Sequence, residues 1–213
     1  MRPAITAAAL SLAIFAAVPA SAQVFGTLGS AERVPMNGHI VGAYLNASND
    51  VLGMFGQLRL SFYEGIDFGF QGGLSRVSVE GGADRTAVRL GTDIGFMTAR
   101  AGPNFPVDLA LGGGLGVESS DDYHVLTLMP SAIASRTFAM GQNGSIAPYL
   151  GIGLSFSNVD AQSTKQTYTY LPVRIGGDLR VMPGIRFVAE MQFAVGNTYT
   201  DDFGIATGVN LPF

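Results

Sequence analysis

The chain has 213 residues, no cysteine, a formal net charge of −4 and a positive mean hydropathy of +0.31, with 13% charged residues. The lack of cysteine excludes disulfides and thiolate sites, and a weak acidic balance with no basic stripe excludes nucleic acid as an expected partner. So few charges, against the ~25% of a soluble domain, point to a chain whose surface meets an apolar medium.

The first element is a secretory signal. Arg2 supplies a positive start, Ala4–Val18 is apolar apart from Thr6 and Ser11, Pro19 breaks any helix, and Ala20-Ser21-Ala22 is an A-x-A cleavage site. The apolar run falls short of the ~20 residues that span a bilayer, so residues 1–22 are expected to be removed as a signal peptide. No later run reaches helical-span length. An exported chain with few charges and no spanning helix is expected to form a closed barrel, because hydrocarbon cannot satisfy an open sheet edge.

Gln23–Met36 is non-periodic and is expected to be a short periplasmic N-terminal lead-in, leaving residues 37–213 for the barrel. Alternating segments follow. The first, about His39–Asn46, contrasts its two faces poorly. The second sets Met54, Gly56, Leu58, Leu60 and Phe62 against Phe55, Gln57, Arg59, Ser61 and Tyr63. Glu64-Gly65 turns it into a third, where Ile66, Phe68, Phe70 and Leu74 oppose Asp67, Gly69, Gln71 and Gly73. After a loop at Gly81–Arg85, Val88, Leu90, Ile94 and Phe96 oppose Arg89, Gly91, Asp93 and Gly95. The fifth places Leu109, Leu111, Leu115 and Val117 against Asp108, Ala110, Gly112, Gly114, Gly116 and Glu118.

Ser119–Tyr123 is an acidic loop. The sixth segment, Val125–Phe138, contains Pro130, where a bulge is expected. Gln142-Asn143-Gly144 is a tight turn, followed by Leu150, Ile152, Leu154 and Phe156 on one face of the seventh. Asn158–Gln166 is expected to be the longest polar loop. The eighth opposes Leu171, Val173, Ile175, Leu179 and Val181 to Arg174, Gly176, Asp178 and Arg180. Pro183-Gly184 turns into the ninth, with Phe187, Met191 and Val195 against Arg186, Glu190 and Gln192. After Asn197–Asp202, the tenth alternates Phe203, Ile205, Thr207, Val209, Leu211 and Phe213 with small residues.

Period-two alternation over ten segments, weak in the first and irregular in the sixth, each of about the ~9–11 residues a tilted membrane strand needs, defines the expected fold. It is an all-β, closed, antiparallel up-and-down transmembrane β-barrel of ten strands, or eight if the first and sixth segments are misread. Short turns are expected to alternate with longer outer loops. With the bulky face outward, the lumen would hold a charge network of Arg59, Arg89, Asp93, Asp108, Arg174, Asp178, Arg180, Arg186 and Glu190, with Gln57 and Gln192. Charges in a low-dielectric interior demand partners, and a barrel near ~8 strands is filled by its own side chains, whereas aqueous pores appear at ~16–18. Phe62, Tyr63, Phe138, Tyr149, Tyr168 and Tyr170 are candidates for interfacial girdles.

A signal peptide followed by strands that end on an aromatic residue resembles the small outer-membrane β-barrel proteins of Gram-negative bacteria, of the OmpA-transmembrane or OmpX-like kind. The resemblance implies an outer-membrane location, lipid and lipopolysaccharide as surroundings, and placement by the barrel-assembly machinery with periplasmic chaperones. It also implies that Val209, Leu211 and Phe213 form a C-terminal insertion signal.

Catalytic motifs are sparse. Asp122-Tyr123-His124 resembles the Asp-x-His half of the omptin proteases, but no Asp-x-Asp accompanies it, although Asp201-Asp202 could face the site. The His-x-Ser pair of a lipid A deacylase is missing at both His39 and His124, and there is no Gly-x-Ser-x-Gly, His-Glu-x-x-His or P-loop. No loop has calcium-site spacing, so no cofactor and no metal site is expected. The expected function is a non-enzymatic envelope protein, structural or presenting its loops. A narrow solute or ion channel through the Arg/Asp-lined lumen is the alternative, and an omptin-like surface hydrolase the third reading.

Overall fold

The computed structural model describes residues 26–78, 84–121, 123–161, 164–182, 184–197 and 201–213. The expected signal peptide, Asp122 and Pro183 lie outside the described residues. Strands β1 (His39–Ser48), β2 (Val51–Tyr63), β3 (Ile66–Val77) and β4 (Arg85–Ala99) follow one another around the wall. They continue as β5 (Asp108–Ser119), β6 (Tyr123–Ser135), the short β7 (Phe138–Met140) and β8 (Gly144–Gly153). The circuit ends with β9 (Ser155–Ala161), β10 (Thr164–Met182), β11 (Ile185–Asn197) and β12 (Phe203–Pro212). All pairings are antiparallel, and β12 returns to β1 with Ile40 opposite Pro212 and Ala43 opposite Val209, which closes the sheet. The seam is finished by reciprocal bonds, Phe213 N–H to His39 O at 3.0 Å and His39 N–H to Phe213 O at 3.3 Å. The ring has ten staves, because β8 and β9 are two halves of one and β7 pairs only with β8.

The break between β8 and β9 replaces the bulge expected at Pro130. Pairing of β6 resumes in the same register on both sides of Leu154, which faces Pro130 and donates to its carbonyl at 3.0 Å. Pro130 has no N–H to return. On the other side of this stave Pro172 lacks one too, so the ladder lapses there without an inserted residue.

The faces divide as period-two alternation requires. Along β1, Ile40, Gly42, Tyr44 and Asn46 point inward, and along β2 so do Phe55, Gln57 and Arg59. Leu52 and Met54 on the outer face are each 62% exposed, whereas Arg59 is 3% exposed. This inverts the distribution of a water-soluble protein, in which charges rather than leucines face out.

The end of the barrel that carries His39 and Phe213 is called the terminal end here. Its connections are Glu64-Gly65, residues 100–107, residues 136–143 and residues 183–184. The opposite end has Asn49-Asp50, residues 78–84, 120–122, 162–163 and 198–202. Longer loops are therefore not reserved for the opposite end, and the two longest connections are terminal. Gly65 and Gly184, with φ of 73° and 88°, supply the left-handed residue of the two tight terminal hairpins. Nor is Asn158–Gln166 a loop: β9 and β10 stay paired out to Ala161 opposite Thr164.

Candidate functional site

Sequence reasoning sets Gln23–Met36 aside as a lead-in, but residues 26–34 lie inside the barrel. Leu28, Ser30, Ala31, Arg33 and Val34 are buried there. The wall grips the segment's backbone. Arg174 donates to Thr27 O at 2.6 Å, Gln71 and Gln57 donate to Gly26 O, and Asn210 donates to Leu28 O at 3.4 Å. Ala31 N–H donates to Ser135 Oγ at 3.1 Å, and Val34 N–H to Asp67 Oδ2 at 3.1 Å.

Side chains complete the attachment in two ionic groups. In the first, Arg59 makes a two-pronged bond to Asp93 at 2.8 and 3.1 Å and also reaches Asp67, which accepts from Arg33 of the segment at 3.3 Å. All four side chains are almost wholly enclosed. In the second, at the terminal mouth, Glu32 bridges Arg180 at 3.2 Å and Arg186 at 3.0 Å. Those arginines are direct register partners across β10 and β11. Like charges placed so repel, and Glu32, helped by Asp178 at 3.8 Å from Arg186, offsets the repulsion.

The opposite half of the lumen is filled by the wall itself. Arg89 donates to Glu118 at 2.6 Å, and the Tyr123 hydroxyl donates to the other oxygen of Glu118 at 2.5 Å. Tyr123, Val125, Val159, Tyr170 and Ala87 pack as one buried cluster. Between the halves, Tyr149 and Gln192 both donate to Glu190, at 2.7 and 2.5 Å. Inward-facing glycines make room for these side chains. A Cβ on Gly69 would strike Arg59 and Asp93, one on Gly95 would strike Arg33, and one on Gly208 would strike the Tyr44 ring. A cavity of about 10 Å³ lies inside between Gly26, Arg33, Asp93 and Gly112–Gly114, the room of a single water. A wider space of about 230 Å³ opens at the terminal mouth beside Glu32, Arg100, Asp108 and Arg180.

Of the charged residues singled out from sequence, Arg59, Arg89, Asp93, Arg174, Asp178 and Glu190 are buried in the lumen, while Arg180 and Arg186 are partly buried at its mouth. Asp108 joins none of these groups and instead accepts from Ala101 N–H at 2.8 Å, holding the connection before β5. Val209 and Leu211 sit on the sheet's outer face, and Phe213 stacks on His39 with ring centroids 5.3 Å apart. Sequence reasoning missed Glu32, Arg33, Asp67 and Glu118. The last two share the parity of the other inward residues and could have been read from it. Tyr149 and Tyr170 are corrected from girdle positions to the lumen, since both lie on the inward parity of their strands; Phe62, Tyr63 and Phe138 do face outward.

Among the described residues, the lumen and its terminal mouth set Arg33, Arg59, Arg89, Arg174, Arg180 and Arg186 against Glu32, Asp67, Asp93, Glu118, Asp178 and Glu190. Asp122 is outside the described residues, and His124 bonds through Nδ1 to Ser119 Oγ at 2.8 Å on the exposed rim. Asp160 is His124's register partner but pairs with Lys165 at 3.1 Å. Among the described residues no carboxylate bonds to His124, the group that would orient it as a base. No cluster that could hold a metal ion occurs among the described residues.

A closed ten-stave sheet, apolar outside and ion-paired inside, defines the class: a transmembrane β-barrel. No family model matches the sequence, and no curated protein matches it by sequence. Solved structures match in fold, and they are outer-membrane barrels. An outer membrane channel from Pseudomonas putida F1 is 12% identical over 90% of this chain and 100% of that chain, with a TM-score of 0.50. The N-terminal β-barrel domain of Pseudomonas aeruginosa OprF is 12% identical over 84% of this chain and 98% of that chain, at 0.41. LpxR from Salmonella typhimurium is 10% identical over 81% and 99%, at 0.48. At these identities the likeness is one of fold.

Proposed function

We propose that this protein is exported to the Gram-negative outer membrane and serves there as a structural, non-catalytic barrel that its own N-terminal segment keeps closed to solutes. The observation that carries the reading is the filled lumen, with residues 26–34 in the terminal half and the Tyr123–Tyr170 cluster in the other. In this reading the terminal end is periplasmic. Val209, Leu211 and Phe213 are then presented to the barrel-assembly machinery, and lipid and lipopolysaccharide cover the apolar face. The connections at the opposite end would be the surface available for contact.

Single-channel recording of refolded protein in a planar bilayer tests this, with folding certified by a heat-dependent gel shift. The expected result is a silent bilayer. Discrete conductance steps would overturn the closed reading and favour a narrow channel through the polar lumen, and charge reversal at Arg89 or Arg174 should then change its ion selectivity.

A further inference from the structure

We propose that the terminal half of the lumen is a receptor site for a short, bent peptide, and that residues 26–34 are its built-in occupant; the proposal rests on the reading that this segment closes the barrel. Wall side chains from strands far apart in sequence read the segment's main chain, through Gly26 O, Thr27 O, Leu28 O, Ala31 N–H and Val34 N–H. Contacts to backbone groups hold a peptide whatever its side chains, while separate pockets supply selectivity.

Here the pockets are set by three side chains. Leu28 is 2% exposed in a cluster with Tyr44, Phe55 and Val188. Glu32 meets the Arg180–Arg186 pair, and Arg33 meets Asp67. The ligand class is therefore a short peptide with an apolar residue followed, four and five positions later, by an acid and an arginine. Gly29, with φ of 138°, adds a requirement for glycine next to the apolar residue.

The segment is joined to the wall through Pro35, Met36 and Asn37, all exposed. Covalent tethering raises the local concentration of such an occupant without adding any contact, so the site should still recognise the same peptide once the tether is cut.

The test uses full-length protein with a protease recognition sequence inserted between Met36 and Asn37, folded, certified by the gel shift, and then cut. The nicked barrel is incubated with a labelled synthetic peptide of residues 26–35. Saturable uptake is expected, blocked by unlabelled peptide and weakened at least about tenfold (1.4 kcal/mol) by Arg33→Ala in the peptide. A barrel refolded from Pro35 onward should bind the same peptide if it passes the gel shift. No uptake by the nicked barrel, or equal uptake of the Arg33→Ala and native peptides, overturns the proposal. The two readings fail separately. Conductance by the uncut protein would remove the closed state and leave peptide uptake standing, whereas a silent barrel that takes up no peptide removes the receptor site alone.

Discussion

The two halves of the lumen are closed by different means. In the terminal half the filling is a separate stretch of chain, residues 26–34, joined to the wall by ion pairs and main-chain hydrogen bonds. In the opposite half the wall fills itself, with Tyr123, Val125, Val159 and Tyr170 meeting over the Arg89–Glu118 pair. A filling that belongs to the wall cannot leave without unfolding a strand. One that is tied on mainly by polar contacts can loosen while the barrel stays whole. Stability in this molecule should therefore be uneven along the axis, with local opening confined to the end that holds the segment.

Arg59→Ala is the severest way to break that contrast. It strips Asp67 and Asp93 of the guanidinium that neutralises both, and removing one partner from a buried ion pair costs about 3–5 kcal/mol. The denaturant midpoint should fall accordingly. Hydrogen exchange should rise in residues 26–34 well before it rises at Val125 or Val159, and equal protection loss in both halves would show that the fillings are not independent. Tyr123→Phe strikes the other half. It removes one hydroxyl from the Glu118 carboxylate, and a hydrogen bond to a charged group is worth about 1.5–3 kcal/mol. Its exchange signature should be the mirror image: opening around Tyr123–Thr127, with residues 26–34 still protected.

Half of this arrangement is legible in the sequence. Alternation marks most staves, and its parity places Arg59, Asp93, Arg174 and Glu190 inside, because lipid outside tolerates only the bulky apolar set. The same parity carries Asp67 and Glu118. What alternation cannot show is residues 26–34, since a segment surrounded by wall on all sides has no two faces in different media and so no period. The strand ends fail for a related reason. At Thr164–Thr167 the outer face has left the apolar belt and both faces are exposed, so the backbone ladder continues while the pattern that announces it stops. Tyr149 and Tyr170 mislead because aromatic residues suit both an interfacial girdle and a polar lumen where a hydroxyl finds a partner.

Glycine substitutions sharpen the comparison next. Gly208 lies under the Tyr44 ring, beside the Asn210 that holds Leu28 O, and a methyl there meets both the ring and the carbonyl of Ala43. Gly208→Ala should cost about 1–3 kcal/mol, the range for overpacking a filled interior, and it should loosen the terminal half. Gly113→Ala is the control, because a Cβ at that position meets nothing within 4 Å. Thermal scans of the gel shift should separate the two, and equal shifts would mean that backbone freedom, not the packing of Tyr44, is what Gly208 provides.

The smallest effect on stability is expected from Glu32→Gln, and it is the one that locates the hold on the segment. Glu32 and Arg180 are well hydrated at the mouth, so the pair contributes about 0.2–1 kcal/mol rather than the energy of an enclosed one. The substitution nevertheless leaves Arg180 and Arg186 facing each other across β10 and β11, with Asp178 still paired to Arg186. Global unfolding should shift little, while protease access to the stretch at Pro35–Asn37 and exchange in residues 26–34 should increase. Raising the salt concentration should reproduce part of that change in the unmodified protein, since screening acts on exposed charges at the mouth and hardly at all on Arg33, Arg59, Asp67 and Asp93 deeper in. A Glu32→Gln barrel whose segment is protected as before, at low salt and at high, would mean that the enclosed Arg33–Asp67 contact and the main-chain bonds hold the segment without help from the mouth.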